Sequence, residues 1–114
     1  LYRESLICSD LISRGIDLEL VNTVISYDVP LHIKKYIHRV GRTARAGREG
    51  TAYTLIEEQE ARHFKEMMRA ASHMDALKRV GIRASELEPL HEDYKEALSK
   101  LRADLGAQAD LLER

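Results

Sequence analysis

Short apolar runs that alternate with helical stretches constrain the fold of this 114-residue chain more than any other feature. Residues 5–9, 22–27 and 51–56 are apolar or β-branched runs of strand length, and none alternates strictly between apolar and polar residues. This pattern is typical of strands covered on both faces, as in a parallel sheet. Helical patterns follow the second and third runs, so the order of elements predicts an α/β fold.

Three helices are predicted from apolar residues that recur every three or four positions. The first follows Pro30, and the second runs from about Glu58 to Ala71. The third covers residues 89–113, with Pro89 suited to a first turn and a loosening expected at Gly106. Its leucine-rich face predicts either packing against the α/β part or binding of a partner protein, and the sequence leaves both open. The apolar stripes are Ile33, Tyr36, Ile37 and Val40 in the first helix and Ala61, Phe64, Met68 and Ala71 in the second.

Charge is distributed unevenly along the chain. The formal net charge is −1, yet residues 29–48 contain no acidic residue and six lysines and arginines. A basic stripe within a nearly neutral chain is typical of a ligand site. The single cysteine, Cys8, excludes an intrachain disulfide framework, and no apolar run approaches the length of a membrane span.

Four arginines spaced by three residues end the basic stretch, namely Arg39, Arg42, Arg45 and Arg48. On an unbroken helix, this spacing rotates each side chain by about 60° from the previous one and spreads the four groups. Gly41 and Gly47 allow the backbone to leave the helix, so that the later arginines converge on one ligand. Guanidinium groups bind phosphate oxygens bidentately and keep their charge, so a phosphate ligand is predicted. The alternative is an exposed basic helix face, although the stretch offers no acid to pair with it.

Three blocks in this order resemble the C-terminal part of the DEAD-box RNA helicases. Residues 38–48, His-Arg-Val-Gly-Arg-Thr-Ala-Arg-Ala-Gly-Arg, are similar to motif VI of that family. Residues 6–17, Leu-Ile-Cys-Ser-Asp-Leu-Ile-Ser-Arg-Gly-Ile-Asp, are similar to motif V, and residues 24–30 to the strand that follows it. Ala44 stands where the family usually has glycine, and Ser9 replaces the usual threonine but keeps its hydroxyl. The resemblance implies the C-terminal half of a RecA-like parallel-sheet domain over residues 1–80, followed by a helical C-terminal extension over residues 81–114.

The resemblance also implies roles for individual residues. Two arginines would act as fingers on the γ-phosphate of ATP, an aspartate would bind the ribose, and small residues would contact the RNA backbone. The candidates are catalytic Arg42 and Arg45, ribose-binding Asp17, RNA-binding Ser9 and Gly15, and interdomain Arg14, His38 and Arg39. From the residues alone, Asp17 also fits a helix cap or turn, and a lone histidine such as His38 also fits a structural role. No metal ligand is predicted in this chain.

The family's ATP site requires a second body, because an N-terminal RecA-like lobe holds ATP and Mg²⁺ through a Gly-Lys-Thr loop and an Asp-Glu-Ala-Asp box. Neither sequence occurs in these 114 residues, which also begin without Met. We therefore expect part of a longer ATP-dependent RNA helicase, with RNA and the N-terminal lobe as partners and no ATPase activity by itself. An isolated chain is also expected to aggregate or stay molten, because its sheet would expose an unpaired edge.

Two alternatives stay open at this point. One is a non-catalytic module, derived from a helicase lobe, that binds RNA or a partner protein. The other is a related two-lobe helicase that acts on DNA, although the Arg-Gly-Ile-Asp form of residues 14–17 favours the DEAD-box type. The tail is similar in style to the nucleolar, ribosome-biogenesis branch of the family. That similarity predicts a nuclear or nucleolar location, with the cytoplasm as the alternative.

Overall fold

The computed structural model describes residues 5–11, 21–44 and 49–113, and the chain divides into two units, Leu1–Leu77 and Lys78–Arg114. Within the described residues, the first unit contains two strands and the helices that follow them, and the second unit is mainly helical. The predicted domain assignment, residues 1–80 and 81–114, stays a prediction.

The two described strands form a parallel pair. Strand β1 (Thr23–Ser26) lies beside strand β2 (Thr51–Thr54), with Thr23 opposite Thr51 and each later pair in step. The ladder continues at both ends, because the Thr51 amide donates to the Asn22 carbonyl at 3.0 Å and the Leu55 amide to the Ser26 carbonyl at 2.9 Å. A parallel pair requires a crossover connection, and helix α1 (Ile33–Val40) lies in it. The predicted α/β class is therefore confirmed.

The first predicted strand is wrong, because residues 5–9 are not assigned to a strand. Leu6 and Ile7 are 57% and 98% exposed, so neither apolar side chain is buried. The strand preference of such a run depends on packing against neighbours, and these two side chains have little of it. Asp10 and Leu11, which follow directly, have helical conformation.

The core of the first unit lies between α1 and helix α2 (Ala61–Ala70). Tyr36 of α1 packs edge-on against Phe64 of α2, with 6.2 Å between ring centroids, and Met68 is completely buried. Phe64 and Met68 belong to the predicted apolar stripe of this helix. Six partly buried apolar residues surround the three, namely Val29, Ile33, Val40, Met67, Met74 and Leu77.

Local hydrogen bonds define both ends of α2. Before it, a 3₁₀ turn (Glu58–Glu60) carries a capping box in which Glu57 and Glu60 satisfy each other's backbone amides. After it, Ser72 has a φ of 55°, and the His73 amide donates to the Met68 carbonyl at 2.9 Å. A left-handed residue at this position is a common helix terminator, and it places Ala71 outside the helix. A second 3₁₀ turn (Met74–Ala76) follows.

The second unit consists of helix α3 (Ala84–Leu87), a 3₁₀ turn (Glu88–Leu90) and helix α4 (His91–Leu112). The predicted long helix is confirmed, with Pro89 in the 3₁₀ turn before it. The loosening expected at Gly106 is absent, because α4 continues through that residue. Whether the leucine-rich face of α4 packs on the α/β part or binds a partner stays a prediction.

Candidate functional site

Helix α1 ends where the arginine motif begins to turn. Its last turn carries His38 and Arg39, and Gly41 caps it by donating its amide to the Ile37 carbonyl at 2.8 Å. The backbone then tightens, because the Arg42 amide donates to the Arg39 carbonyl at 3.2 Å. The predicted break after the first turns is thus confirmed. Gly41 itself, with a φ of −66°, has ordinary helical backbone.

The left-handed residue of this turn is Ala44, with a φ of 56°. A side chain disfavours that conformation by about 1–2 kcal/mol, and glycine usually adopts it. This is the position at which the resemblance to the helicase motif predicts glycine. The surrounding structure therefore imposes on alanine a backbone that glycine would adopt without strain.

The Arg39 side chain donates hydrogen bonds to two other segments of the chain. Its Nε donates to Oδ1 of Asp10 at 2.7 Å, and its Nη2 donates to Oδ2 of the same carboxylate at 2.9 Å. Nη1 donates to the backbone carbonyl of Asp28 at 2.5 Å. The Arg39 and Asp10 side chains are only 19% and 30% exposed. One guanidinium therefore joins α1 to the segment that contains Asp10 and to the residues that follow β1.

The electrostatics of this pair favour its charged form. The hydrogen bonds that Arg39 donates to Asp10 raise the pKa of Arg39 and, with the charges of the Asp10 and Asp28 carboxylates, outweigh the opposing effect of burial. A fork of two parallel N–H···O bonds also fixes the orientation of the two groups. Arg39 was predicted to lie at the interdomain face. In this chain it binds a carboxylate of its own, and the interdomain role stays a prediction.

Asp10 follows Ser9, the predicted RNA-binding residue, directly in the sequence. Ser9 is exposed, as is His38 on the last turn of α1, while Arg42 is half-buried. The fork therefore brings the Ser9 segment to the helix that precedes Arg42. Four of the predicted site residues lie outside the described residues, namely Arg14, Gly15, Asp17 and Arg45.

Two functional candidates escaped the sequence analysis. Asp10 was part of the motif V block, but nothing in the sequence links it to Arg39, 29 positions away. Thr43 was part of motif VI, and its hydroxyl donates to the backbone carbonyls of Val21 and Asn22. The sequence shows only that a threonine lies between two of the arginines, and this does not indicate which carbonyls its hydroxyl binds.

Within residues 5–11, 21–44 and 49–113, no group of three histidine, cysteine or acidic side chains could hold a metal ion. In the same ranges, no helix combines the length and apolar character needed to cross a membrane.

Comparison with known proteins supplies the relatives of this chain. Residues 2–47 match the family described as the helicase conserved C-terminal domain. The ATP-dependent RNA helicase dbp6 of Schizosaccharomyces pombe is 44% identical over 101 residues, which cover 88% of this chain and 17% of the relative. The DEAD-box ATP-dependent RNA helicase 1 of Arabidopsis thaliana is 36% identical over 104 residues, covering 91% of this chain and 20% of the relative.

A third relative has a more specific name. The ATP-dependent rRNA helicase RRP3 of Encephalitozoon cuniculi is 53% identical over 62 residues, covering 54% of this chain and 16% of the relative. The chain thus spans at most a fifth of the length of these three relatives. The family match over residues 2–47 includes Asp10, Arg39 and the arginine turn. The chain carries part of a helicase conserved C-terminal domain of the kind found in DEAD-box ATP-dependent RNA helicases.

Proposed function

We propose that this chain forms part of the C-terminal lobe of an ATP-dependent RNA helicase, in which it presents arginine fingers to ATP and a loop to the RNA backbone. The fork between Arg39 and Asp10 is the observation that carries the proposal. It holds the Ser9 segment against the helix that leads into Arg42. One rigid connection would therefore join the RNA-facing and phosphate-facing sides of the lobe.

The arginines would act on the transferred phosphoryl group. Arg42 and Arg45 would donate hydrogen bonds to the γ-phosphate oxygens, where negative charge is spread in the transition state. An N-terminal RecA-like lobe would hold the ATP and Mg²⁺, and Asp17 would accept a hydrogen bond from the ribose. Because guanidinium keeps its charge at every physiological pH, these groups would need no proton transfer to act.

The RNA contacts would be independent of sequence. The Ser9 hydroxyl and the backbone at Gly15 would contact phosphate and sugar groups, which fix register and carry no base information. Arg14, His38 and Arg39 would lie at the face toward the other lobe. His38 is suited to that position because it is exposed on the last turn of α1.

The name of one relative supports a narrower substrate class. RRP3, which is 53% identical to this chain over 62 residues, is named as an rRNA helicase. We propose ribosomal RNA as the substrate and the nucleolus as the location. The leucine-rich face of α4 is proposed as a contact for a protein partner in that setting.

RNA-stimulated ATP hydrolysis tests the function in the full natural protein that contains these 114 residues. Replacing Arg42 or Arg45 with alanine is expected to lower kcat by roughly 10³- to 10⁵-fold, as loss of an arginine finger does in related phosphoryl-transfer enzymes. Lys34→Ala is the matched control, because Lys34 is an exposed base at the start of α1. Wild-type turnover in both arginine variants would refute the assignment.

Two further measurements distinguish the enzyme from a binding module. The isolated 114-residue chain is expected to hydrolyse no ATP, because these residues contain neither the Gly-Lys-Thr loop nor the Asp-Glu-Ala-Asp box that would hold the phosphates. ATP hydrolysis by that chain would contradict the proposed division of the site. A full natural protein that binds RNA without hydrolysing ATP would favour the non-catalytic module.

A further inference from the structure

We propose that Thr43 is a positioning residue that fixes the turn carrying the catalytic arginines, an inference that rests on the proposed function. Its side chain is buried, with 6% of the residue exposed. The hydroxyl Oγ1 lies 2.7 Å from the Val21 carbonyl oxygen and 3.0 Å from that of Asn22. A threonine hydroxyl has one hydrogen, so the two carbonyls share it.

These two acceptors tie the turn to the sheet. Val21 and Asn22 immediately precede β1, and the Asn22 carbonyl also accepts the Thr51 amide of β2 at 3.0 Å. A single carbonyl therefore receives hydrogen bonds from the arginine turn and from the second strand. The turn is held in register with the parallel pair, and its position does not depend on α1 alone.

Close packing at Gly50 holds Thr43 from the other side. A methyl group at Gly50 would overlap the Thr43 hydroxyl and lie 2.6 Å from the Ala44 amide nitrogen. Only a hydrogen at that position leaves room for the turn. Thr43 is thus enclosed between the segment before β1 and the residue before β2, next to the left-handed backbone of Ala44.

Thr43 is close in sequence to both proposed catalytic arginines, so its position affects theirs. Arg42 precedes it directly, and Arg45 follows two residues later. A displacement of about 1 Å in a catalytic group can cost about 10²-fold in rate. The Thr43 side chain is buried and donates to two backbone carbonyls, so we infer that it acts through the backbone of its neighbours.

The test compares Thr43→Val, which keeps the shape but loses the O–H donor, with Thr43→Ser, which keeps the donor. In the full natural protein, Thr43→Val is expected to lower kcat for RNA-stimulated ATP hydrolysis by about 10- to 100-fold, with KM for ATP within about twofold. Thr43→Ser is expected to restore kcat to within about threefold of wild type, since the donor returns. Thr23→Val, an exposed threonine to valine change on β1, is the matched control and should leave kcat unchanged.

Hydrogen exchange supplies a second measurement that does not depend on turnover. The amides of Arg42 and Thr43 donate to the Arg39 and Val40 carbonyls, and their exchange reports opening of the turn. In Thr43→Val, these two amides should exchange about fivefold faster, because the net loss of one hydrogen bond changes the opening equilibrium of the turn by about that factor. The Leu55 amide, which continues the ladder between the strands, should be unchanged.

Each outcome decides the inference. Loss of kcat in Thr43→Val, rescue in Thr43→Ser and faster exchange confined to the turn support it. Wild-type kcat in Thr43→Val, equal impairment in Thr43→Ser, a change in KM alone, or faster exchange that includes Leu55 would each overturn it. A wild-type protein without RNA-stimulated ATPase would refute the proposed function instead, and hydrogen exchange would still decide whether Thr43 holds the turn.

Discussion

The fork between Arg39 and Asp10 is expected to stabilise this unit more than an ordinary surface ion pair would. The perturbations are Arg39→Met, which keeps most of the aliphatic stem, Asp10→Asn, which keeps the shape of the carboxylate, and the double variant. The coupling free energy is the amount by which the double variant departs from the sum of the single variants.

The magnitude follows from geometry and exposure. Exposed ion pairs contribute about 0.2–1 kcal/mol, whereas removal of one partner from a buried pair costs about 3–5 kcal/mol. The Arg39 and Asp10 side chains are 19% and 30% exposed and meet through two bonds, so they lie between these cases. We therefore expect a coupling free energy between Arg39 and Asp10 of about 1–2 kcal/mol, which lies between these two ranges.

Native-state hydrogen exchange at the amides of α1 measures this coupling, because the fork joins that helix to Asp10. The chain offers a matched control in Arg62 and Glu66, an i,i+4 pair at 3.4 Å whose side chains are 91% and 58% exposed. The same cycle there, followed at the amides of α2, should give about 0.3–0.5 kcal/mol. Equal coupling in the two cycles, or a coupling below that of the control, would refute the argument from burial and fork geometry.

Three more predictions concern backbone strain, packing and pH. Ala44→Gly should stabilise the unit by about 0.5–1 kcal/mol, because relief of the left-handed backbone exceeds the entropic cost of glycine. Ala70→Gly, at the last residue of α2, relieves no left-handed backbone and should give no such stabilisation. Met68→Ala should cost about 2–5 kcal/mol, and the same change at half-buried Met67 should cost less. Burial raises the pKa of Tyr36 above its ordinary value of 10.0, so its contribution to stability is complete below pH 10 and falls as the pH rises through the higher, folded-state pKa.

Urea unfolding or hydrogen exchange of the full natural protein measures the first two predictions. Destabilisation by Ala44→Gly, or equal losses at Met68 and Met67, would contradict them. For the third, the free energy of unfolding is compared between wild type and Tyr36→Phe from about pH 9 to 11.5. The variant lacks the phenol, so its stability should fall less over this range. Identical slopes in the two proteins would show that Tyr36 does not titrate with unfolding.

Local periodicity was sufficient to predict most elements of the fold. The β-branched run before Pro30 and the run after Gly50 contain β1 and β2, and the stripe with Phe64 and Met68 became the buried face of α2. The run at residues 5–9 failed for a physical reason. A strand depends on neighbours that cover it, and a single apolar run contains no information about whether they are present.

The site was predictable in its residues but less so in its contacts. The spacing of arginines located Arg39, whereas its partner Asp10 depends on a contact between residues 29 positions apart. The break in the helix was expected from Gly41, yet the left-handed backbone falls on Ala44. Alanine disfavours that backbone, so no local rule predicts it there. Packing of Gly50 against the turn accompanies it, and that packing exists only in the folded chain.

The hydrogen bond from Thr43 to Asn22 also has a consequence for the order of folding. The backbone hydrogen bonds within helix α1 join residues that are close in sequence, so the helix can form in about a microsecond or less. The Asn22 carbonyl, however, accepts its hydrogen bond from β2 only when Thr51 pairs with this part of the chain. That pairing closes a loop that contains all of α1 and the arginine turn. During synthesis, a nascent chain in which Thr51 is still inside the ribosome already contains every arginine of the motif. It lacks the strand that would complete their anchor.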